Sequence, residues 1–158
     1  MRFTKKILTM ATCAVIAASS MVGMSASISI NASAANGIVN ESQTGYYYNT
    51  DTSSNNYDSS AYIYISQSYI YLNNVYVSGH KVRATIHRDN SINEFSISDG
   101  YVTITLNSYQ YYNSNTGQWV TGTSQLQTFG DADSNIYNNP FNPVWTLEFD
   151  GQTFEEEQ

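Results

Sequence analysis

The sequence predicts an all-β protein built as an antiparallel β-sandwich of the immunoglobulin-like or jelly-roll-like type, with a small β-barrel as the second choice. Three observations predict this class. Apolar and polar residues alternate in several segments, turn-forming residues recur at short intervals, and no segment has a convincing 3.6-residue period. Alternation at period two puts successive side chains on opposite faces of a strand, so each segment would bury one face and expose the other.

Residues 1–34 have the features of a secretory signal peptide. The basic start MRFTKK precedes an uncharged segment of apolar and small residues, and Ala32-Ser33-Ala34 fits an A-x-A cleavage site. A cut near Ala26 also fits, so cleavage is placed between about residues 26 and 35. A retained membrane anchor is the alternative, which the Ala- and Ser-rich composition disfavours. We therefore expect a secreted, extracellular product with no membrane attachment after cleavage.

The remaining 124 residues contain no cysteine and are strongly acidic. That length suits a single domain held together by its core rather than by disulfides. Three basic residues, Lys81, Arg83 and Arg88, stand against thirteen acids, which gives a net charge of about −10. Such a surface repels nucleic acid and anionic lipid at long range. The expected partners are a neutral glycan or an extracellular protein surface.

The composition divides the mature chain into three parts. Residues 35–59 are predicted to be a polar N-terminal arm or linker, because so few apolar residues cannot offset the entropy cost of ordering. Residues 60–150 form the single β-domain. Residues 151–158, which end in FEEEQ, are predicted to be an acidic, solvated C-terminal tail.

Ten strands are predicted in the β-domain. Asp99-Gly100, between two alternating segments, predicts a tight type I′ hairpin. The strands are placed near residues 61–66, 68–72, 75–78, 81–88, 94–98, 101–107, 109–113, 118–122, 124–129 and 144–149.

The stretch SAYIYISQSYIYLNNVYV holds five tyrosines. Tyr62 and Tyr64 occupy even positions, whereas Tyr69 and Tyr71 occupy odd ones, so a bulge or turn at residues 66–68 must reset the phase if they are to share a face. The tyrosines would then form an outer row, which either stiffens the sheet or offers a stacking surface for sugar rings or another protein. The intervening apolar residues would face the core: Ile63, Ile65, Ile70 and Leu72.

A second candidate binding feature is the segment YQYYNSNTGQWVTG. If residues 114–117 form a four-residue hairpin loop, Tyr112 lies opposite Trp119 on one face, with Tyr109 nearby. An aromatic pair flanked by amides and hydroxyls suits a pyranose ring, and ordinary hairpin packing is the alternative. Trp145, which alternates with Leu147 and Phe149, is predicted to be a core residue.

No cofactor is predicted, and calcium is the alternative at one segment. Asp131, Asp133 and Asn135 resemble the opening D-x-D-x-N of a calcium loop, in which alternate oxygens converge on the cation. Ile136 stands where such a loop needs glycine. A polar loop is therefore the preferred interpretation.

The sequence carries no catalytic signature. It contains no G-x-S-x-G, H-E-x-x-H, nucleophilic cysteine in the mature chain or phosphate loop. A small secreted glycosidase is the less favoured possibility, since it would need a carboxyl pair in a cleft. The acids that would supply that pair lie mostly at predicted strand ends: Asp89, Glu94, Asp99, Glu148 and Asp150.

These observations predict a secreted, non-catalytic module that binds a neutral glycan through exposed aromatic rings. The alternative is a structural, self-associating extracellular or surface β protein, whose Lys-poor edge strands pair between chains. A signal peptide followed by a Tyr-, Asn-, Ser- and Thr-rich β-domain is similar to secreted bacterial adhesive and carbohydrate-binding modules. The predicted ligand-binding residues are Trp119, Tyr112, Tyr109, Tyr62, Tyr64, Tyr69 and Tyr71.

Overall fold

The computed structural model describes residues 43–90, 92–135, 141 and 143–158. The all-β, antiparallel class is confirmed: these residues form eleven strands, and none of them lies in an α-helix. The strands are β1 (Gly45–Asn49), β2 (Tyr62–Ile65), β3 (Tyr69–Val77), β4 (His80–His87), β5 (Glu94–Ser98), β6 (Tyr101–Leu106), β7 (Gln110–Asn113), β8 (Gln118–Thr121), β9 (Leu126–Ser134), β10 (Trp145–Phe149) and β11 (Gln152–Glu156).

The strands form one curled, half-barrel sheet in the order β5-β6-β9-β10-β11-β1-β2-β3-β4-β7-β8. Strand β9 joins its two parts, since residues up to Gly130 pair with β6 and residues from Asp131 pair with β10. A Cβ atom on Gly130 would lie 1.9 Å from the backbone oxygen of Glu148. Only glycine allows the backbones to approach so closely, which lets β9 pass from one partner strand to the other.

Eight of the predicted strands correspond to β2 and β4–β10, and β9 extends further than predicted, to Ser134. The two strands predicted at residues 68–72 and 75–78 are instead one strand, β3. A bulge between Asn73 and Val75 interrupts its pairing with β4, and the extra residue, Asn74, has a φ of 55°. Asparagine tolerates this left-handed conformation better than most residues.

The predicted N-terminal arm and C-terminal tail each contain a strand that the sequence did not predict, β1 and β11. Strand β1 lies between β11 and β2, and β11 lies between β10 and β1, so both are internal strands of the sheet. Each contributes one large buried ring, Tyr47 and Phe154 respectively, although its other residues are mostly polar. The predicted signal peptide and residues 35–42 lie outside the described residues.

A single hydrophobic core lies under the inner face of the sheet. The predicted phase of the tyrosine-rich stretch is confirmed: β2 and β3 form a hairpin around residues 66–68, and the four aliphatic residues predicted to face the core are buried. Trp145 is buried as predicted. Fully burying one aliphatic or phenylalanine side chain stabilises a fold by about 1.5–3 kcal/mol. The largest fully buried side chains include Tyr47, Ile63, Ile65, Ile70, Leu72, Phe95, Ile104, Leu147 and Phe154.

Two hairpins have the type I′ geometry, but not the predicted one. Ser78-Gly79 and Asp150-Gly151 each combine two positive φ values, 50° with 77° and 49° with 66°. In Asp99-Gly100 only the glycine has positive φ, 92°, so the type I′ prediction is wrong there. The hairpin itself is present, because Ser98 pairs with Tyr101.

Candidate functional site

Six tyrosines lie side by side on the outer surface of β1, β2 and β3. Three of them, Tyr46, Tyr48 and Tyr69, keep 42%, 40% and 39% of their surface exposed, and the others are half-buried by their neighbours. Cross-strand pairing brings them together, since Tyr46 is opposite Tyr64 and Tyr64 is opposite Tyr71. We call this group the tyrosine face: Tyr46, Tyr48, Tyr62, Tyr64, Tyr69 and Tyr71.

Ring contacts run continuously across the tyrosine face. The ring centroids of Tyr46 and Tyr64 are 4.6 Å apart, and Tyr64 is 5.7 Å from Tyr69. Tyr62 connects the rest, at 5.8 Å from Tyr46 and 6.0 Å from Tyr71. These separations are those of favourable aromatic pairs, which add about 0.5–1.5 kcal/mol each beyond area burial. The six rings therefore form one continuous surface.

Two hydroxyls of the tyrosine face, those of Tyr62 and Tyr48, have raised pKa values. Burial is the main cause that raises the pKa of Tyr62, followed by the neighbouring tyrosines, while Arg83 lowers it in part. Burial and then Glu157 raise the pKa of Tyr48. Both hydroxyls stay protonated at neutral pH, when they can donate and accept hydrogen bonds.

The predicted pairing of Tyr112 with Trp119 is confirmed. Residues 114–117 form the hairpin loop between β7 and β8, and the two rings lie 5.5 Å apart on the outer face. The sequence did not indicate that Arg83 of β4 covers the indole, with its guanidinium carbon 4.0 Å from the ring centroid. This cation–π contact uses area of Trp119 that was expected to be open for a sugar ring.

Tyr109 does not belong to the outer face, and its predicted role beside Trp119 is wrong. Its ring is buried, and its hydroxyl donates a hydrogen bond of 2.7 Å to the backbone oxygen of Ser124. A Cβ atom on Gly122 would lie 2.1 Å from the Tyr109 ring, so the ring fills the space that this glycine leaves. Tyr109 is a core residue that fixes the end of β8.

Lys81 and Arg83 lie on the outer surface of β4, between the tyrosine face and the Tyr112–Trp119 pair. Lys81 forms an ion pair of 2.7 Å with Asp58, and Asp58 also accepts hydrogen bonds from the hydroxyl and backbone N–H of Ser60. Burial alone would raise the pKa of Asp58, but the hydrogen bonds from Lys81 and Ser60 hold it below its usual value. The charge of Lys81 is therefore balanced locally.

A small pocket of about 210 Å³ opens beside Trp119. Two polar atoms of its lining, Oδ1 of Asn74 and Nε of Arg83, are buried without a hydrogen-bond partner. Arg83 lies next to the tyrosine face in the sheet, because it is opposite Asn73 of β3, and Asn73 is opposite Tyr62 of β2. We call this pocket the Trp119 pocket, and it is lined by Asn74, Lys81, Arg83, Tyr112 and Trp119.

The site thus contains residues that sequence reasoning missed. Tyr46 and Tyr48 were assigned to the arm, although Tyr46-Tyr47-Tyr48 has the period of two in which the central ring faces inward. The alternating sequence of β4 places Arg83 and Lys81 on one polar face. It does not indicate that β7 and β8 lie beside that face. Asn74 became identifiable only through the bulge in β3.

The calcium alternative has no loop to support it. Asp131, Asp133 and Ser134 belong to strand β9, where alternate side chains point outward in parallel rather than converging, so the predicted polar loop is wrong at these residues. Within the described ranges, no group of three His, Cys, Asp or Glu side chains is placed to hold a metal ion.

The acids that a glycosidase would need are dispersed. Asp150 lies in the β10–β11 turn, where one carboxylate oxygen accepts a hydrogen bond from the Thr128 hydroxyl and the other from the Gly79 backbone N–H. A concavity of about 560 Å³ lies between β4, β7 and the loop before β5, and none of its lining residues is Asp or Glu. Asn93 fills part of its wall with hydrogen bonds to the backbone of Thr85 and Ser108.

The sequence matches no protein-family model, and it has no significant match among curated proteins or solved structures. A search of the described residues for a helix long and apolar enough to cross a membrane finds none.

Proposed function

We propose that this protein is a secreted, non-catalytic binding module that takes a neutral glycan on the tyrosine face. The observation that carries the proposal is the continuous contact of six partly exposed tyrosine rings on one surface of the sheet. Sugars present flat C–H faces and many hydroxyls, and tyrosine offers a ring for the first and a hydrogen-bonding hydroxyl for the second.

The shape of the surface favours a chain rather than a single small molecule. The outer surface from β1 to β8 crosses six neighbouring strands, which is roughly 24 Å at the usual strand spacing. A surface of that length accommodates several consecutive rings. Trp119 and Tyr112 lie at its far end, so they extend the tyrosine face and are not the main platform.

In architecture, we propose a sandwich rather than a closed barrel. The end strands β5 and β8 have no pairing with one another in the described part of the chain, so the sheet is open. Its curl brings the inner faces of β5 and β6 into the same core as those of β2 and β3. A sandwich leaves the whole outer surface of β1–β4 free for a ligand.

A glycan array tests the proposal with the wild type and two variants. Tyr64→Ala removes a ring at the centre of the tyrosine face and should weaken binding to any array hit by about 10-fold or more, as for the loss of a central aromatic anchor. Tyr101→Ala is the matched control, because Tyr101 is 53% exposed on β6, away from the face. It should leave binding unchanged.

Two results would refute the proposal. One is an array without a hit for the wild-type protein. The other is an equal loss of binding in both variants while their unfolding midpoints stay close to that of the wild type.

Self-association is the second candidate function, and the edges of the sheet favour it. The terminal strands β5 and β8, with sequences EFSIS and QWVT, contain no lysine or proline to block the addition of a strand. Sedimentation over a wide concentration range distinguishes the two functions. Concentration-dependent assembly that Tyr64→Ala does not affect would favour pairing through the edges.

A further inference from the structure

We propose that the Trp119 pocket binds a carboxylate carried by the glycan, and that Arg83 is its anchor. This inference rests on the proposed function and specifies the ligand further: a largely neutral chain that bears a carboxylate, as uronic and sialic acids do. The acidic net charge by itself favours a ligand with no acidic group, and the inference replaces that expectation.

The first observation is that the positive charge of Arg83 is unbalanced. Among the described residues, no carboxylate lies within ion-pair distance of Arg83, whereas the neighbouring Lys81 is paired with Asp58 at 2.7 Å. The Trp119 pocket therefore carries a net positive charge within a chain that has an excess of acids. An anion bound there would restore local neutrality.

The second observation is that Arg83 is held in place before any ligand arrives. Its guanidinium rests on the Trp119 indole at 4.0 Å, and Trp119 is supported in turn by Tyr112 at 5.5 Å. Nε of Arg83 is buried, but a guanidinium that rests on a ring keeps the in-plane N–H donors of its two terminal nitrogens available, and these match both oxygens of a carboxylate. Little side-chain entropy is then lost on binding.

The third observation is an acceptor beside this donor. The side-chain amide of Asn74 is oriented by its Nδ2, which donates a hydrogen bond of 2.7 Å to the hydroxyl of Ser60. That hydroxyl donates in turn to Asp58, so the network fixes which end of the amide is nitrogen. Oδ1 of Asn74 is left without a donor, and a sugar hydroxyl next to the carboxylate would supply one.

The size of the pocket and its surroundings limit the ligand. At about 210 Å³ it is smaller than pockets that enclose a drug-sized molecule, about 300–1,000 Å³, so it suits one substituent of one sugar. Outward carboxylates on β9–β11, with Glu155 directly opposite Tyr48, border the far side of the tyrosine face. They would repel a polyanion and orient a singly charged chain with its carboxylate toward Arg83.

The test compares oligosaccharides that differ only in the carboxylate. One probe carries a single uronic acid and another a single sialic acid, and each is offered as the free acid and as its methyl ester. We expect the wild type to bind at least one acid about 10-fold or more tightly than its ester, and only this acid should lose affinity as salt rises. The two probes distinguish the source of the carboxylate.

The variants are Arg83→Gln and Arg83→Lys. Arg83→Gln should bring the affinity for the acid down to that of the ester, and Arg83→Lys should keep part of the difference because it keeps the charge without the fork of donors. Equal binding of acid and ester by the wild type would overturn the inference while the glycan proposal stands. If neither acid nor ester binds, the inference fails, and the glycan array decides the proposed function separately.

A loss of acid and ester binding together in Arg83→Gln, with an unchanged unfolding midpoint, would also overturn the inference, since Arg83 would then support the surface rather than the charge. If the variant unfolds, the salt dependence of the wild type decides: a response of the free acid alone supports the inference, and an equal response of acid and ester contradicts it.

Discussion

Two parts of the same sheet have similar inner faces and very different outer faces. Strands β1–β3 expose the tyrosine face, and β4, β7 and β8 continue it with Lys81, Arg83, Tyr112 and Trp119. Strands β9, β10 and β11 expose no aromatic ring in the segments where they pair with one another. Their outward side chains form what we call the acidic face: Asp131, Asp133, Glu148 and Glu155.

The acidic face shows that strands of this sheet pair without aromatic side chains on their outer surface. Glu148 lies directly opposite Asp131, a like-charge pair that disfavours the sheet, yet β9 and β10 pair regularly. Threonines occupy outward positions between these acids. Thr146 of β10, for example, is opposite Asp133 of β9 on one side and Glu155 of β11 on the other. Because these strands form without outer aromatic rings, strand formation does not explain the six tyrosines on β1–β3. The proposed binding function would account for the tyrosine face.

The largest effect should separate two adjacent tyrosines of β1. Tyr47 is fully buried, and its hydroxyl donates a hydrogen bond of 2.9 Å to the backbone oxygen of Gln43, whereas Tyr46 lies on the tyrosine face. We expect Tyr47→Ala to lower the free energy of unfolding by about 3–5 kcal/mol, through the lost burial and the cavity. Tyr46→Ala should cost less, about 1.5–2 kcal/mol, which is near the low end for the three ring contacts that Tyr46 makes with its neighbours.

Urea unfolding measures both values, and the glycan array supplies the opposite ranking. Only Tyr46→Ala should lose binding while remaining folded. If the two variants lose similar amounts of stability, the outer ring is a folding element and the comparison between the faces loses its basis.

The next effect concerns Gly130, where β9 changes its partner strand from β6 to β10. Gly130→Ala would place a Cβ atom 1.9 Å from the backbone oxygen of Glu148, so β9 or β10 must move. We expect a loss of about 3 kcal/mol in the free energy of unfolding, at the upper end of the usual cost of overpacking. Gly79→Ala is a control for the space at Cβ, because nothing lies within 4 Å of that position and only its φ of 77° is unfavourable. A cost no greater than that of the control would contradict a close approach at Gly130.

The sequence predicted the inner face better than the outer one. In β2 and β3 the aliphatic residues alternate strictly, so both the strands and their buried face followed from the chain alone. In β1 the inward positions hold Tyr47 and Asn49, and in β11 they hold Gln152 and Phe154, so these short segments show no apolar alternation. Their place in the sheet depends on pairing between residues about a hundred positions apart.

The same limit applies to the candidate site. The Tyr112–Trp119 pair was predictable because a hairpin loop sets its register locally. The contact of Arg83 with Trp119 required β4 to lie beside β7, which no local signal indicates. Tyr109 has the same residue type as its surface neighbours, and only the absence of a side chain at Gly122 explains why its ring is buried.

A smaller effect is expected within the acidic face. Glu148→Gln removes one member of the like-charge pair with Asp131 and should raise the free energy of unfolding by about 0.2–1 kcal/mol at low salt. The gain should shrink at high salt, where exposed charges are screened. Denaturant midpoints at two ionic strengths check this. A destabilising effect would mean that Glu148 has a role other than solvation.

The smallest effect is a pH dependence at Glu156 of β11, which lies opposite the buried Tyr47 of β1. Burial raises the pKa of Glu156, although the backbone N–H of Trp145 donates to its carboxylate and partly opposes the shift. A raised pKa in the folded state means that ionisation of Glu156 opposes folding. The stability that its protonated carboxyl group contributes is therefore lost as the pH rises through that pKa. Glu156→Gln keeps an acceptor for Trp145 and removes the charge.

Relative to the wild type, Glu156→Gln should gain stability as the pH rises through the raised pKa, by less than about 1 kcal/mol, and the difference should vanish below the ordinary glutamate pKa of about 4.3. Thermal melts at several pH values measure it. A variant that is less stable at neutral pH than at pH 4, relative to the wild type, would reverse the expected sign.

Hydroxyl-radical footprinting with and without a glycan identified on the array tests the binding role of the tyrosine face most directly. The ligand should protect Tyr46, Tyr62, Tyr64 and Tyr69 from labelling, while the labelling of Tyr101 and Phe129, which are exposed on β6 and β9 away from the face, should not change. Protection of Tyr101 or Phe129 with no protection of the tyrosine face would contradict the proposed site.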